Sequence, residues 1–454
     1  MTYNLNVNNS INNLSPLDGR YSEKVSEITN LFSEKALIKK RFIIEVEWLL
    51  FVLNESFYKT IKISKADVSK INDFKNSFDD SYAKKIKSIE NRTNHDVKAV
   101  EYFINEFLKK NNKEKFIPYV HLGLTSEDVN SLSYALMIKE VKEASIISIN
   151  DLNKKIKSLA SRYKKITFLA RTHGQPASPS TIGKEILVFH KRLQRQIHQA
   201  KSIIPMAKWG GATGNYHTIH LANHKRDPVK IATKFLKKFN VHHNAVTTQI
   251  EPHDWIAETC HVLIRINNIV NDLNKDMWMY IANDIFIVKA VKNEVGSSTM
   301  PHKINPIDFE NSEGNVGLAN SMFDFFADKL PISRLQRDLS DSTSLRNIGV
   351  AFGYSVIAYK STMNGLNKIS PNKKKINEEL DNNWVVLSEA VQTIMRLENI
   401  DNAYEKLKDL TRGKNLDQEK YLEFIESLEI SDKNKEYLLN LTPHNYIGVA
   451  TKLK

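Results

Sequence analysis

Two stretches of this chain carry no residue that breaks a helix. From Glu127 to Thr172, and again from His253 to Val295, there is neither glycine nor proline. Proline removes a donor and clashes with the preceding turn, and glycine weakens a helix interior, so such stretches favour continuous helix. In the second, Trp255, Ile256, Val262, Leu263, Ile266, Ile269, Val270, Leu273, Met277, Tyr280 and Ile281 recur near the 3.6-residue period. Pro252 stands where a helix can begin. A helix over that whole stretch is about 60 Å long, roughly eleven turns. One subunit cannot easily cover such a rod on all sides, so a bundle shared between subunits is expected.

The 454 residues exceed one typical domain. Apolar residues at 41% supply a large core, and only 15 Gly and 12 Pro favour long helices over a turn-rich β architecture. The expectation is an all-α fold of three helical domains. An N-terminal domain spans 1–115, a central long-helix bundle 116–368 and a small C-terminal domain 369–454. Phe32, Leu37, Phe42, Val46, Trp48 and Leu49 set the helical period in the first. Residues 184–204 and 307–330 read as further helices. Gly314 and Gly317 weaken the latter and let another helix come close. Gly365, Pro371 and the lysine run 373–375 mark the last boundary.

The net charge of +13 raises the question of a nucleic-acid partner. Only 14 of the 65 basic residues are arginine, and the lysines scatter in small patches. No nucleic-acid partner is expected, although a basic field helps draw in an anionic substrate. The single cysteine, Cys260, excludes an internal disulfide and a Cys-based zinc site, and it fits a reducing compartment. The polar start MTYNLNVNNSINNL lacks the pattern of a secretory signal, and no apolar run reaches the ~20 residues of a membrane span. A cytoplasmic chain without membrane contact is expected. His242, His243 and His253 lack metal-ligand spacing and read as structural or surface residues.

Several segments gather polar groups. In Gly296, Ser297, Ser298, Thr299, Met300, Pro301, His302, Lys303, Ile304, Asn305 and Pro306, the prolines forbid helix. Two hydroxyls, a fixed positive charge and an amide remain, which suits a mobile lid that stabilises a developing anion. Thr172-His173-Gly174-Gln175-Pro176-Ala177 would end the first long helix and leave His173 at its terminus, where a histidine can cap, face solvent or donate a proton. At Thr93-Asn94-His95-Asp96 a helix starts, with Thr93 or Asn94 capping and Asp96 favoured by the dipole. At Thr125-Ser126-Glu127-Asp128 another starts, and its free amides suit an anion as well as a cap. Asp18-Gly19-Arg20-Tyr21 reads as a turn. Arg334, Arg337 and Arg346 cluster within thirteen residues, as a phosphate anchor or a salt-bridged face.

The run from Gly296 to Pro306 closely resembles the signature of the fumarase/aspartase superfamily, GSSxMPxKxNP, with every fixed position filled. THGQPA, and NHDVKAVEYF from Asn94, are similar to its adenylosuccinate lyase branch, and the resemblance extends from Asp18 to Gly448. It implies an all-α subunit of three domains, a homotetramer whose active sites each draw on three subunits, and no metal or organic cofactor. It implies elimination of fumarate from adenylosuccinate, giving AMP, and from the succinyl-carboxamide ribotide SAICAR, giving AICAR. By resemblance Ser297 is the base and His173 the acid. Asn94, His95, Asp96, Thr125, Ser126, Gln249, Ser298, Lys303, Asn305 and Asn311 bind substrate. Arg20, Tyr21, Arg337, Ser342, Thr343 and Arg346 hold the nucleotide and its phosphate. Lyases acting on argininosuccinate or aspartate are the alternative within the superfamily, and the clustered arginines argue against them. A non-catalytic helical scaffold would have no reason to keep the complete loop. Leu335, often aromatic in relatives, and the longer leader are the visible departures.

Overall fold

The computed structural model describes residues 12–54, 62–222, 224–291, 298–411 and 416–454. The chain divides into two compact units. The first comprises Met1–Ile149, Gln196–Asn268 and Gly314–Tyr359, the second Asn150–Arg195, Ile269–Glu313 and Lys360–Lys454.

The architecture is mostly helical, as expected. The principal helices are α1 (Glu34–Asn54), α2 (Lys65–Asn76), α3 (Asp80–Thr93), α4 (Asp96–Lys110), α5 (Ser126–Arg162), α6 (Ile182–Ser202), α7 (Asp254–Ala282), α8 (Ile307–Lys329) and α9 (Ile348–Lys368). Shorter helices complete the chain after residue 372. Among the described residues the strands form four two-stranded pairs. These are β1–β4 (Thr167–Phe168, Ser180–Thr181), β2–β3 (Arg171–Thr172, Gln175–Pro176), β5–β6 (Met206–Ala207, His242–His243) and β7–β8 (Phe286–Val288, Ile369–Pro371). Only β5–β6 is parallel. Among the described residues no helix is long and apolar enough to cross a membrane.

Both long helices stop earlier than the absence of breakers suggests. Helix α5 ends at Arg162, because Thr167 and Phe168 leave it to pair with Thr181 and Ser180. Helix α7 ends at Ala282, so its 29 residues span about 43 Å rather than 60 Å. Asp284 turns left-handed at φ 58°, and the Ile285 amide closes back on the Tyr280 carbonyl at 2.8 Å. This is the stop that glycine usually makes, made here by an aspartate. Phe286, Ile287 and Val288 then pair with Pro371, Ser370 and Ile369, since β-branched and aromatic residues suit a strand. Residues 292–295 lie outside the described set.

Each unit has its own core. In the first, Phe42 packs edge-on against Phe74 at 4.9 Å, and Phe74 stacks on Phe107 at 3.6 Å. Trp48 meets Trp209 at 5.3 Å and Phe235 at 4.9 Å. In the second, Trp384, Leu387, Val391, Tyr421, Ile425 and Leu438 close a C-terminal core. Polar side chains pin the helices. In the first unit buried Asn267 donates to Asn320 (2.9 Å) and Ser355 (3.0 Å), and the Tyr359 hydroxyl donates to it at 2.6 Å. In the second, Asn274 donates to the Ser312 hydroxyl and accepts from that of Thr362, each at 2.8 Å. A buried amide left unpaired costs about 1–3 kcal/mol, so each network is satisfied in one helix register only.

Tyr216 and Thr233 hydroxyls flank buried His243 at 3.1 and 2.8 Å. Burial, and next the neighbouring His242, push its pKa down to about 4 from the ordinary 6.5. An unfolded chain therefore takes up this proton near pH 6.5 and the folded chain only near pH 4. The unfolded state binds more protons across that window, so stability falls as pH drops from about 6.5 to about 4. In His243→Gln the slope of unfolding midpoint against pH should flatten over that range, as thermal denaturation at stepped pH would show.

Candidate active site

In the first unit the site is built around the start of α5. Asp128, three residues into the turn, accepts the Thr125 amide at 2.8 Å. This is half of a capping box, with the acid reaching back to the cap residue's own backbone. The expected cap by Thr125 or Ser126 does not form. Neither hydroxyl has a partner among the described residues, so both remain available to a ligand. Asp128 also accepts from the Gly211 amide (3.1 Å) and from Lys208 (2.8 Å), and neither charged side chain has any exposure. The Lys208 ammonium donates further to the Gly211 carbonyl at 2.7 Å. The Trp48 indole holds the Leu122 carbonyl at 2.8 Å, just before the turn.

One residue on, buried Glu127 pairs with Arg337 at 3.0 Å. Burial pushes the Glu127 carboxyl up, against the pull of Arg337. Arg337 also donates to Gln249 (3.1 Å) and Ser342 (3.4 Å), and Gln249 donates to the Ala212 carbonyl (2.9 Å). Gln249, 88 residues before Arg337, thus shares one network with Arg337 and Ser342. Behind it, His253 is only 4% exposed and lies 3.7 Å from Glu251 and 3.5 Å from Asp341. Burial would raise the Asp341 carboxyl, but His253 and Arg337 outweigh it and hold it low.

A second network gathers Asp96 and Arg346. Arg346 forks between Asp96 (2.9 Å) and Glu34 (3.0 Å), and Asp96 also pairs with buried Arg41 at 2.8 Å. Arg41 donates on to Asn130 of α5 at 2.9 Å. Burial would raise Asp96, but Arg41 and then Arg346 keep its carboxyl below the ordinary range. The caps differ from expectation. Asn94 ends α3 in a left-handed conformation (φ 51°), and His95 caps α4, its Nδ1 accepting the Lys98 amide at 3.2 Å. With Nδ1 accepting, the proton of a neutral ring sits on Nε2, and the exposed imidazole presents an N–H outward. Arg20 and Tyr21 stand on a turn closed by the Tyr21 amide on the Pro16 carbonyl at 2.8 Å. Thr343 is exposed, and its carbonyl accepts from Asn347 at 3.1 Å.

In the second unit His173 lies at the tip of the β2–β3 hairpin and not at a helix terminus. His173 (φ 53°) and Gly174 (φ 76°) form its two-residue turn, with Thr172 opposite Gln175. Two left-handed residues match the twist of a hairpin, and Gly174 takes the second place without strain. The hairpin is anchored by Arg171 on Glu379 at 3.1 Å and by Ser178 on Glu389. Its tip is exposed. Ser297 lies outside the described residues. Ser298 and Lys303 are exposed, and the Lys303 amide turns back on the Met300 carbonyl at 3.0 Å. Lys303 and Asn305 line a cavity of about 370 Å³ with Val288, Asp308 and Lys368. Asn311 accepts from the Ser361 hydroxyl at 2.7 Å.

Comparison with known proteins now bears on these two groups of residues. Residues 19–319 match the Lyase family model and residues 333–447 the Adenylosuccinate lyase C-terminal model. Adenylosuccinate lyase from Buchnera aphidicola subsp. Schizaphis graminum is 45% identical over 98% of both chains. The enzyme of that name from Escherichia coli K12 is 45% identical over 97% of both. This chain belongs to the adenylosuccinate lyase family. The fold extends more widely. A fumarate lyase from Mesorhizobium sp. BNC1 superposes with a TM-score of 0.75 at 15% identity, covering 94% of this chain and 96% of that one. A 3-carboxy-cis,cis-muconate lactonizing enzyme from Pseudomonas putida gives 0.72 at 17%, covering 94% of each.

The candidate residues are held by Arg41, Lys208 and Asp341, which lie in no motif, and by Glu127 and His253, which the sequence placed only at a helix start and among structural or surface residues. A signal existed for the first. Arg41 and Glu45 interrupt the apolar run of α1, and arginine is scarce in this chain. The others became visible only through their partners.

Replacing one member of the Asp128–Lys208 pair strands the other charge in a dry site. Lys208→Met should cost about 3–5 kcal/mol of stability. Asp128→Asn combined with it should recover much of that loss. Urea denaturation followed by circular dichroism would show both, and an unchanged midpoint in the single variant would contradict the pairing.

Proposed function

We propose that this chain is a C–N lyase that eliminates fumarate from adenylosuccinate, leaving AMP, and from SAICAR, leaving AICAR. What carries the reading is 45% identity, along 98% of both chains, to a relative of that name. In this reading Ser297 takes a proton from the carbon beside a succinyl carboxylate. The electron pair forms the double bond of fumarate, the C–N bond breaks, and His173 returns a proton to the departing nitrogen. The carboxylate carries extra negative charge in passing, which Lys303, Asn305, Ser298, Thr125, Ser126 and Gln249 stabilise. A serine acts as base only as its alkoxide, so Lys303 has a second task there. Arg20, Tyr21, Arg337, Ser342, Thr343, Arg346 and the outward N–H of His95 hold the nucleotide and its phosphate, and Asn94, Asp96 and Asn311 also bind substrate.

The working form in this reading is a cytoplasmic homotetramer with active sites shared between subunits and three helical domains over 1–115, 116–368 and 369–454. Its substrates are purine nucleotides, and it takes no nucleic-acid or membrane partner. One face of α8 supports the assembly. Gly314, Gly317, Leu318, Ser321 and Phe325 are exposed along it, and a methyl group on either glycine would meet nothing within 4 Å. Small residues there leave room for another helix to pack closely.

The direct test is ultraviolet absorbance of the purified protein with adenylosuccinate, beside Ser297→Ala and an argininosuccinate control. Turnover should occur with adenylosuccinate and fall by several orders of magnitude in the variant, which should still bind substrate. Full activity in the variant would remove Ser297 as base. Activity with argininosuccinate instead would move the chain to another branch.

Shared sites make a separate prediction. Ser297→Ala and His173→Ala proteins, each inactive, should regain part of the activity when their subunits are mixed. No recovery despite verified subunit exchange would count against shared sites.

A further inference from the structure

Lysines converge on one groove of the second unit that none of the residues assigned to the reaction lines. Lys157 and Lys164 come from the end of α5 and the turn after it, Lys184, His190 and Lys191 from α6, and Lys454 from the last residues of the chain. The groove encloses about 360 Å³, within the ~300–1,000 Å³ range of small-molecule sites. No Asp or Glu side chain lines it. Lys184 pairs with Glu185 at 2.9 Å, and among the described residues the other four lysines form no ion pair.

The arrangement has a structural cause. Lys157 and Lys164, and likewise Lys184 and Lys191, are seven residues apart, which places each pair on one side of its segment. Gly183 lets α6 approach, since a methyl group there would lie 2.4 Å from the Ala160 carbonyl oxygen and 2.5 Å from the Lys164 Cα. The close packing thus lines one groove with lysines from both segments, and an anion between them would be attracted by each. The N-terminus of the 21-residue α6 adds its partial positive charge to the same place. Buried His190 is held in one orientation by Asn153 at 2.9 Å. Burial, followed by the charges of Lys157 and Lys191, pushes its pKa down, so the field of the lysines reaches the floor of the groove.

The chemistry narrows the occupant. Seven residues of helix span about 10 Å, more than one phosphate group and matched to a chain of them. No Phe, Tyr or Trp lines the groove to stack on a base, and no Asp or Glu is there to accept sugar hydroxyls. We propose that this groove binds a polyphosphate chain, whether inorganic tripolyphosphate or the tail of a nucleoside triphosphate, through Lys157, Lys164, Lys184 and Lys191.

Isothermal titration of the full chain at fixed ionic strength tests this, with tripolyphosphate, ATP and orthophosphate as probes. The expected result is one tripolyphosphate bound per chain, ATP within about threefold of it, and orthophosphate at least tenfold weaker. Lys157→Gln combined with Lys191→Gln should weaken tripolyphosphate at least tenfold and leave turnover and gel-filtration volume unchanged. The matching double change to Arg should retain binding and shows that loss in the Gln variant is not misfolding. Absence of tripolyphosphate binding, equal binding of orthophosphate, binding of ATP alone, or undiminished affinity in the Gln variant would each overturn the proposal.

Discussion

Asp128 and Lys208 form an ion pair with no exposure to water on either side, and the first unit's candidate residues are arranged around it. Two charges in a dry interior are tolerable only when they meet and their remaining hydrogen-bonding positions are filled. The Thr125 and Gly211 amides and the Gly211 carbonyl fill them. The start of α5 and the segment near residue 211 are therefore locked to one another. With the Thr125 amide occupied by Asp128, the Thr125 and Ser126 hydroxyls stay uncommitted. Glu127, the next residue along, brings in Arg337, and Arg337 brings Gln249 and Ser342. A single buried charge pair thereby sets the place of residues spread over more than two hundred positions of sequence.

The same logic runs through the helices. Leucine and isoleucine alone would let neighbouring helices slide by a turn at little cost. Asn267 and Asn274, seven residues apart on α7, each find partners in their own unit at one register. Buried amides exclude the alternatives because any slip leaves them unpaired. Arg41 does comparable work on α1, joining Asp96 to Asn130 so that α4 and α5 hold a fixed relation near Arg346.

Much of this was legible in the residues. The 3.6-residue stripe of α7 is buried from Trp255 to Met277 and only half-buried at Tyr280 and Ile281, and Ile307 begins α8 directly after Pro306. The motifs themselves were readable because an unusual set of polar side chains at fixed offsets has few structural explanations. The ends of elements were less legible. Asp284 and Asn94 make left-handed stops that composition alone does not announce, since both residues also serve as helix caps. His173 followed by Gly174 reads equally as a helix end or a hairpin tip. Pairing of Arg171 with Pro176 decides for the hairpin.

Local chemistry by itself determined the helical class, the approximate helix positions and which segments gather polar groups. Those depend on side-chain period, on the backbone limits of proline and glycine, and on which groups can donate, accept or carry charge. What stands beside what was decided by the tertiary structure alone. Glu127 opposite Arg337, His253 between Glu251 and Asp341, and the lysine rows drawn together at Gly183 all join residues from separate elements. Hydrogen bonds act within a few ångströms and screened charges within about 10 Å, whereas separation along a chain carries no record of distance in space.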